Sequence, residues 1–399
     1  MSIYLDNNAT TPLRPEVWDA MAAVEFGGAE ARNPSSTHKS GQAAKKVMRA
    51  ARERVADALG ADPDEIIFTG GGSEAINLAL KGSVWASGLS APHIVTTAIE
   101  HHAVLNTVAW LETQGCSATV VPADLRCRVD PQAIADAITR DTLIVSVMLA
   151  NNEVGTIQPV REIGAICRER GVLLHVDAVQ GVGKLPVDVD DLNCDLLSCT
   201  AHKIGGPKGV GALYVRKGIT LVPVIHGGGQ ESGIRSGTQN VAGIAGFAEA
   251  VELAEQEREE TWARWRDCRQ VLFGLQDEMN AVRVNSDPEI CLPNCLSITF
   301  LYCDAMALTT NLSMRGIYVS TGSACSSGDL EPSHVLKAMG LSDVACHCTV
   351  RFSLGWSTTR DQVDTAVGAV KELVEMLREV TMPEELGKCG ADCPCFVKA

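Results

Sequence analysis

Short, continuously apolar segments alternate with helix-like ones through residues 64–218. "DEIIFTG" (64–70), "HIVTTAIE" (93–100), "TLIVSVMLA" (142–150), "VLLHVDAV" (172–179) and "GALYVRKG" (211–218) read as strands. Between them "SEAINLALKGSVWA" (73–86), "HHAVLNTVAWLETQG" (101–115) and "PVREIGAICRERG" (159–171) read as helices, the last ending at Gly171. A strand that is apolar on both faces must be covered on both faces, and helices placed between such strands do the covering. The pattern predicts an α/β fold: a large domain with a mostly parallel mixed sheet wrapped by helices.

A long helical pattern over 241–279 is crossed by the charged run "EQEREE", which marks the expected domain boundary. Beyond it "CLSITFLY" (295–302), "GIYVS" (316–320) and "TVRFSLG" (349–355) read as strands of a smaller α+β C-terminal domain. The final helix carries Val363, Ala366, Val367, Val370, Leu373, Val374 and Leu377 on one face, and Thr359 and Gln362 are spaced as a capping box. The end from about Pro383 to Ala399 has no periodicity.

The net charge of −15 argues against binding a nucleic-acid backbone, which needs a basic face. "MSIYLDNNATTP" has neither a basic nor an apolar leader region, and no apolar run approaches a membrane span, so a cytoplasmic protein is expected. The 15 cysteines are odd in number and scattered through a long chain, which fits small buried hydrophobes in a reducing compartment. Cys116, Cys167, Cys194, Cys199, Cys268, Cys291 and Cys295 are read this way, and Cys346 and Cys348 as buried thiols at a strand start, with metal ligation around His347 the alternative.

Three segments carry chemistry. In "FTGGGSEA" (68–75) a glycine-rich turn joins a strand to a helix, where backbone N–H groups can meet an anion; a plain turn with Ser73 as N-cap is the alternative. In "VDAVQGVGK" (176–184) Asp177 ends an apolar strand, where open α/β sheets place ligands, and a carboxylate there needs a cation or donors. In "SCTAHKIGGPKGVGALYV" (198–215) Lys203 precedes a Gly/Pro turn, where a partly buried amine can act as a nucleophile. Together they suit a cofactor with a phosphate, a basic ring nitrogen and an aldehyde, and pyridoxal 5'-phosphate has all three.

The motifs "YLDNNATT" (4–11), "NPSSTH" (33–38), "GGGSEA" (70–75), "EHHAVL" (100–105), "ANNEVGT" (150–156), "VDAVQ" (176–180), "AHKIGGPKG" (201–209), "GGGQESGIRSGT" (227–238), "GSACSSGDLEPSHVL" (322–336) and "TVRFSLG" (349–355) occur in this order. With them the chain strongly resembles the fold-type I, class V pyridoxal-phosphate enzymes, and among them the cysteine desulfurases of the NifS/IscS family. The resemblance covers residues 3 to about 380. It implies a large cofactor domain over 15–257 and a small domain from 1–14 and 258–382 that carries a catalytic cysteine loop; beyond it, the unpatterned cysteine-rich residues 383–399 read as a flexible tail.

By that resemblance Lys203 forms the Schiff base, Asp177 meets the pyridine nitrogen, Gln180 the ring hydroxyl, and His101 stacks on the ring and carries protons. Gly72, Ser73, Thr200 and His202 hold the phosphate, and Asn152 lies near the ring hydroxyl and substrate. Thr238 reaches the cofactor phosphate of the other subunit, which implies a homodimer. Arg351 grips the carboxylate of L-cysteine with Asn33 nearby, since a guanidinium binds both oxygens at once. Cys325 is the implied catalytic cysteine, flanked by Gly322 and Gly328 as hinges, and takes the substrate sulfur as a persulfide while alanine leaves. An iron–sulfur scaffold protein of the NifU/IscU type is the implied acceptor, with Cys325 a possible cluster ligand during transfer. "LEPSHVL" and "TVRFSLG" incline the resemblance to the nitrogen-fixation (NifS) branch over the housekeeping (IscS) branch. Trp356 stands where arginine is frequent, at the expected mouth of the site.

Cys389, Cys393 and Cys395 are candidate ligands for zinc or an iron–sulfur fragment, or acceptors of sulfur from Cys325; a disordered tail with exposed thiols is the alternative. An aminotransferase of the same class needs no loop cysteine, so Cys325 separates the two readings. A non-catalytic scaffold would not need Lys203, Asp177, His101, Arg351 and Cys325 together.

Overall fold

The computed structural model describes residues 2–28, 32–321, 332–381 and 394–397. Cys325, Gly322, Gly328, Cys389 and Cys393 lie outside the described residues.

The chain enters through β1 (Ile3–Tyr4) and then builds a seven-stranded sheet from β2 (Ile66–Thr69), β3 (His93–Thr97), β4 (Ser117–Val121), β5 (Thr142–Met148), β6 (Leu173–Asp177), β7 (Leu196–Thr200) and β8 (Gly211–Val215). The strand order is β2-β8-β7-β6-β5-β3-β4, with β8 antiparallel to both neighbours and the other pairs parallel. Of the inner strands β3, β7 and β8 are buried along their whole length, and β5 and β6 at all but one residue each. A second sheet, ordered β12-β13-β10-β9, uses β9 (Val282–Val284), β10 (Cys295–Phe300), β12 (Ser320–Thr321) and β13 (Thr349–Ser353). β11 (Ile317–Tyr318) pairs in parallel with β1 and ties the start of the chain to this part.

The sequence expectations differ from the structure in instructive places. β4 was not anticipated: it is an edge strand, largely exposed, and lacks an apolar run. Cys116, expected to be buried, is half-exposed because it enters that edge strand straight after the turn at Gly115. "GIYVS" splits into β11 and β12, which join different sheets. The long helical pattern is two helices, Val241–Gln256 and Arg258–Glu278, parted at Glu257 within the charged run. The terminal helix Arg360–Thr381 starts on the expected capping box, with Thr359 N donating to Gln362 Oε1 at 3.1 Å and Gln362 N to Thr359 Oγ1 at 3.4 Å. Among the described residues no helix is long and apolar enough to cross a membrane.

Two apolar cores meet at the first fourteen residues. Ile3 and Leu5 pack with the helices and sheet of the smaller part, while Thr11 N and Arg14 N donate to the carbonyls of His202 and Gly205 on the large sheet. The large-sheet core also takes in Val335, Leu336, Met339, Leu341 and Ala345, so packing does not divide cleanly at residue 257.

It also takes in Phe396. This ring is fully buried, Ser342 N donates to Phe396 O at 3.1 Å, and Ser342 Oγ donates to Cys395 O at 2.6 Å. The expected flexible tail is therefore packed over residues 394–397, because one large apolar side chain finds a place in the core. Removing a fully buried phenylalanine ring costs about 3 kcal/mol, and a chain end responds most easily by detaching. Phe396→Ala is expected to speed trimming of the C-terminus by carboxypeptidase; trimming at the unaltered rate would contradict this packing.

Candidate active site

The parallel strands β5, β6 and β7 end side by side, and the turns after them carry the titratable groups. Asp177 closes β6 opposite Met148 of β5 and Ser198 of β7. Its carboxylate is buried and accepts from Val179 N at 3.0 Å. Burial raises its pKa to about 6, against the pull of that hydrogen bond and of the Lys203 charge.

Lys203 ends the short turn Ala201–Lys203 that follows β7. Its Nζ donates to Ala9 O at 2.8 Å and also to Asn8 O. His101 caps the helix His102–Thr113, its Nδ1 accepting from Ala103 N at 3.0 Å. That contact assigns the proton of the neutral ring to Nε2. Burial, then the charges of Lys203, His102 and His334, push the imidazole down to about 4, so it is neutral at pH 7.

Beside Lys203 the helix Gly72–Ser87 begins without a side-chain cap, so its first N–H groups are open to a ligand. Gly71, with φ of 147°, holds a conformation that favours glycine. A Cβ on Gly72 would lie 2.7 Å from Val179 Cγ2 and would fill the cradle. Gly72, Ser73, Thr200 and His202 line one pocket with Thr10 and Lys208. Lys208 is exposed at its rim and escaped the sequence reading, although "GGPKG" displays it. Thr200 Oγ1 donates to Val210 O at 3.0 Å, and His202 Nδ1 lies 3.2 Å from Thr10 Oγ1.

Arg351 projects from the centre of β13 and is buried. Nη2 donates to Asp6 Oδ1 at 2.7 Å and Nη1 to Asn152 O at 3.1 Å, while Nε has no partner among the described residues. Asn8 joins this group to the lysine: its Nδ2 donates to Asn152 O at 3.1 Å, and its carbonyl accepts from Gln180 Nε2 at 3.0 Å and from Lys203 Nζ. Cys295, expected only to pack, is buried and its Sγ lies 3.3 Å from Glu153 O.

Two buried carboxyls were missed. Burial raises Glu100 to about 8 and Glu153 to about 7. Glu153 Oε2 accepts from Ser333 Oγ at 2.5 Å, and His334 Nε2 donates to Glu100 O at 2.9 Å. These contacts seat the residues that follow 322–331 against "EHH" and "NNE". The signal was in the motifs, where each glutamate sits beside a residue already singled out.

Gly72, Ser73, Thr200 and His202 share a pocket, the Lys203 charge reaches Asp177, His101 and His202, and Asn8 links Lys203 and Gln180 to the Asn152 carbonyl that Arg351 also meets. Asn33 and Thr238 are exposed, and Asn33 Oδ1 accepts from Ser35 N at 2.9 Å. Cys395 is half-buried, and its backbone carbonyl accepts from Ser342 Oγ at 2.6 Å. Among the described residues no group of three or more His, Cys, Asp or Glu gathers to hold a metal.

The donor set fits pyridoxal phosphate: an uncapped helix start with a cradle that a Cβ would fill, a buried acid for a ring nitrogen, and a lysine whose charge reaches that acid. The sequence matches the family described as aminotransferase class-V over residues 3–366. The chain belongs to that family, and within it to the cysteine desulfurases of the NifS/IscS group. It is 45% identical over 383 residues to the cysteine desulfurase IscS of Methanosarcina thermophila, covering 95% of this chain and 94% of that one. A solved NifS-like protein superposes with a TM-score of 0.88 at 40% identity, covering 94% of this chain and 100% of the other. A structure described as SspA in complex with cysteine has a TM-score of 0.77 at 36% identity, covering 88% of this chain and 99% of its own.

Proposed function

We propose that the protein is a pyridoxal-phosphate-dependent cysteine desulfurase, converting L-cysteine to L-alanine and leaving the sulfur on Cys325 as a persulfide. The observation that carries this reading is the convergence of Lys203, Asp177 and the uncapped helix start at Gly72, with Arg351 buried nearby. Gly72, Ser73, Thr200 and His202 would hold the phosphate, Asp177 the ring nitrogen, Gln180 and Asn152 the ring hydroxyl, and His101 one face of the ring. Bound there, the cofactor supplies an aldehyde that bonds an amine and a ring that takes up an electron pair from the substrate.

The chain's own residues do the rest. Arg351 Nε and the second N–H groups of Nη1 and Nη2 are left for the substrate carboxylate, with Asn33 as a further contact. Lys203 Nζ takes the proton from the substrate Cα and returns one. His101, neutral at pH 7 with its proton on Nε2, can pass a proton to the leaving group or the product carbon. The Cys325 thiolate bonds to the substrate sulfur as the carbon–sulfur bond breaks. The electron pair of that bond stays with carbon, which is protonated to the methyl group of alanine. Cysteine plus a thiol gives alanine plus a persulfide, so no outside oxidant is needed.

Thr238, exposed on its subunit, is assigned to the partner's cofactor phosphate in a homodimer. The sulfur then passes to a scaffold protein of the NifU/IscU type, in the cytoplasm, and "LEPSHVL" with "TVRFSLG" supports the NifS branch. The test is a single turnover. Without reductant, L-cysteine should give alanine in amounts stoichiometric with active sites, and the peptide carrying Cys325 should gain the mass of one sulfur atom. Pyruvate in place of alanine, or sulfur on another cysteine first, would overturn the assignment.

A further inference from the structure

"VDAVQGVGK" ends in a second lysine. Lys184 is only 4% exposed, and a cation so buried must be held by acceptors. Its Nζ donates to Gln180 Oε1 at 2.6 Å and to Asn8 Oδ1 at 3.3 Å. An ammonium only donates, so it fixes which end of the Gln180 amide is oxygen; a flipped amide would set N–H groups against it. The amide nitrogen then has two N–H groups to place. One goes to Asn8 O at 3.0 Å, and the other remains for the site. Asn8 also accepts from Lys203 Nζ through that same carbonyl and from Asn294 Nδ2 at 3.1 Å through its side chain. The two lysines are therefore tied to one asparagine.

We propose that Lys184 is a positioning residue: it orients the Gln180 amide towards the ring hydroxyl of the cofactor and, as a second buried cation beside Lys203, favours the uncharged form of the Lys203 nitrogen. This rests on the reading of Lys203 and Gln180 given above. The groups that face Lys184 include Lys203, His202, Cys295 of β10 and Arg351 of β13; those that face Lys203 include Asp177, His101, His202 and Lys184. Burial, then the Lys203 charge, brings the Lys184 amine down to about 7 while Cys295 opposes the shift, and such an influence between two cations is mutual.

The test uses the full-length protein loaded with pyridoxal phosphate, as wild type, Lys184→Met, Lys184→Gln and Lys184→Arg. The pH midpoint of the cofactor's visible absorbance and the dissociation constant for reloading the apoprotein are measured. Lys184→Met should raise the midpoint by about half a unit or more and weaken loading about tenfold, through the lost charge and the freed amide. Lys184→Arg should return the midpoint towards wild type, because it keeps the charge. Lys184→Gln keeps a donor without the charge, so its midpoint should follow Lys184→Met even if that variant loads poorly. Wild-type midpoints in both neutral variants would overturn the inference while leaving the reading of Lys203 intact. A wild-type protein that binds no cofactor would overturn both.

Discussion

Lys203→Ala is expected to abolish alanine formation from L-cysteine, with a loss of at least about a thousandfold, since a positioned acid–base group alone contributes roughly 10²–10⁴. Lys203 is the amine at the meeting point of the site. It is held by the carbonyls of Asn8 and Ala9, and its charge reaches Asp177, His101, His202 and Lys184. The fold should survive. Asn8 O keeps its bond from Gln180 Nε2, and the bond lost at Ala9 O is worth about 1 kcal/mol. The proposed phosphate cradle at Gly72 and Thr200 is untouched, so the variant should still take up the cofactor but lack the absorbance of its lysine-bound form. Unchanged turnover in a variant with an unchanged melting temperature would contradict the role given to Lys203.

Cys325→Ala should separate the two halves of the reaction. On the proposed reading, binding of the cofactor and of L-cysteine depends on Lys203, Asp177 and Arg351, none of which is altered. Proton removal from the substrate Cα should therefore persist, and exchange of that proton with deuterated solvent should continue at a rate comparable to wild type. Sulfur transfer has no acceptor thiol in the variant, so alanine and sulfide should fall together by about two to three orders of magnitude. Loss of the exchange as well would show that Cys325 serves binding rather than sulfur transfer.

Most of the large sheet was legible because strands such as β3, β5, β6 and β8 carry apolar runs and its helices end on clear signals, such as Gly171 with φ of 65°; the inner strand β7, with the mixed sequence LLSCT, was not. The edge strand β4 was not, because an exposed strand carries no such run. Lys203, Asp177 and the Gly72 turn were legible because their chemistry is local to one strand end or one turn. Asn8, Lys184 and Glu153 were not. Asn8 gains its role from Gln180 and Lys184, which stand 172 and 176 residues away in the chain. Glu153 reads as one polar residue in "ANNEVGT" until its contact with Ser333, 180 residues on, is seen. The packed end at Phe396 was hidden for a similar reason: a lone aromatic has no period, and only its place in the core shows that it is anchored.

The central claim is that L-cysteine is split into alanine and transferable sulfur at this site. The most direct measurement is to incubate the cofactor-loaded protein with L-cysteine and dithiothreitol and follow alanine and sulfide in the same samples. Equal yields, rising catalytically with time, are the predicted result. Sulfide with pyruvate and ammonia instead of alanine, or neither product from a protein that holds its cofactor, would contradict it.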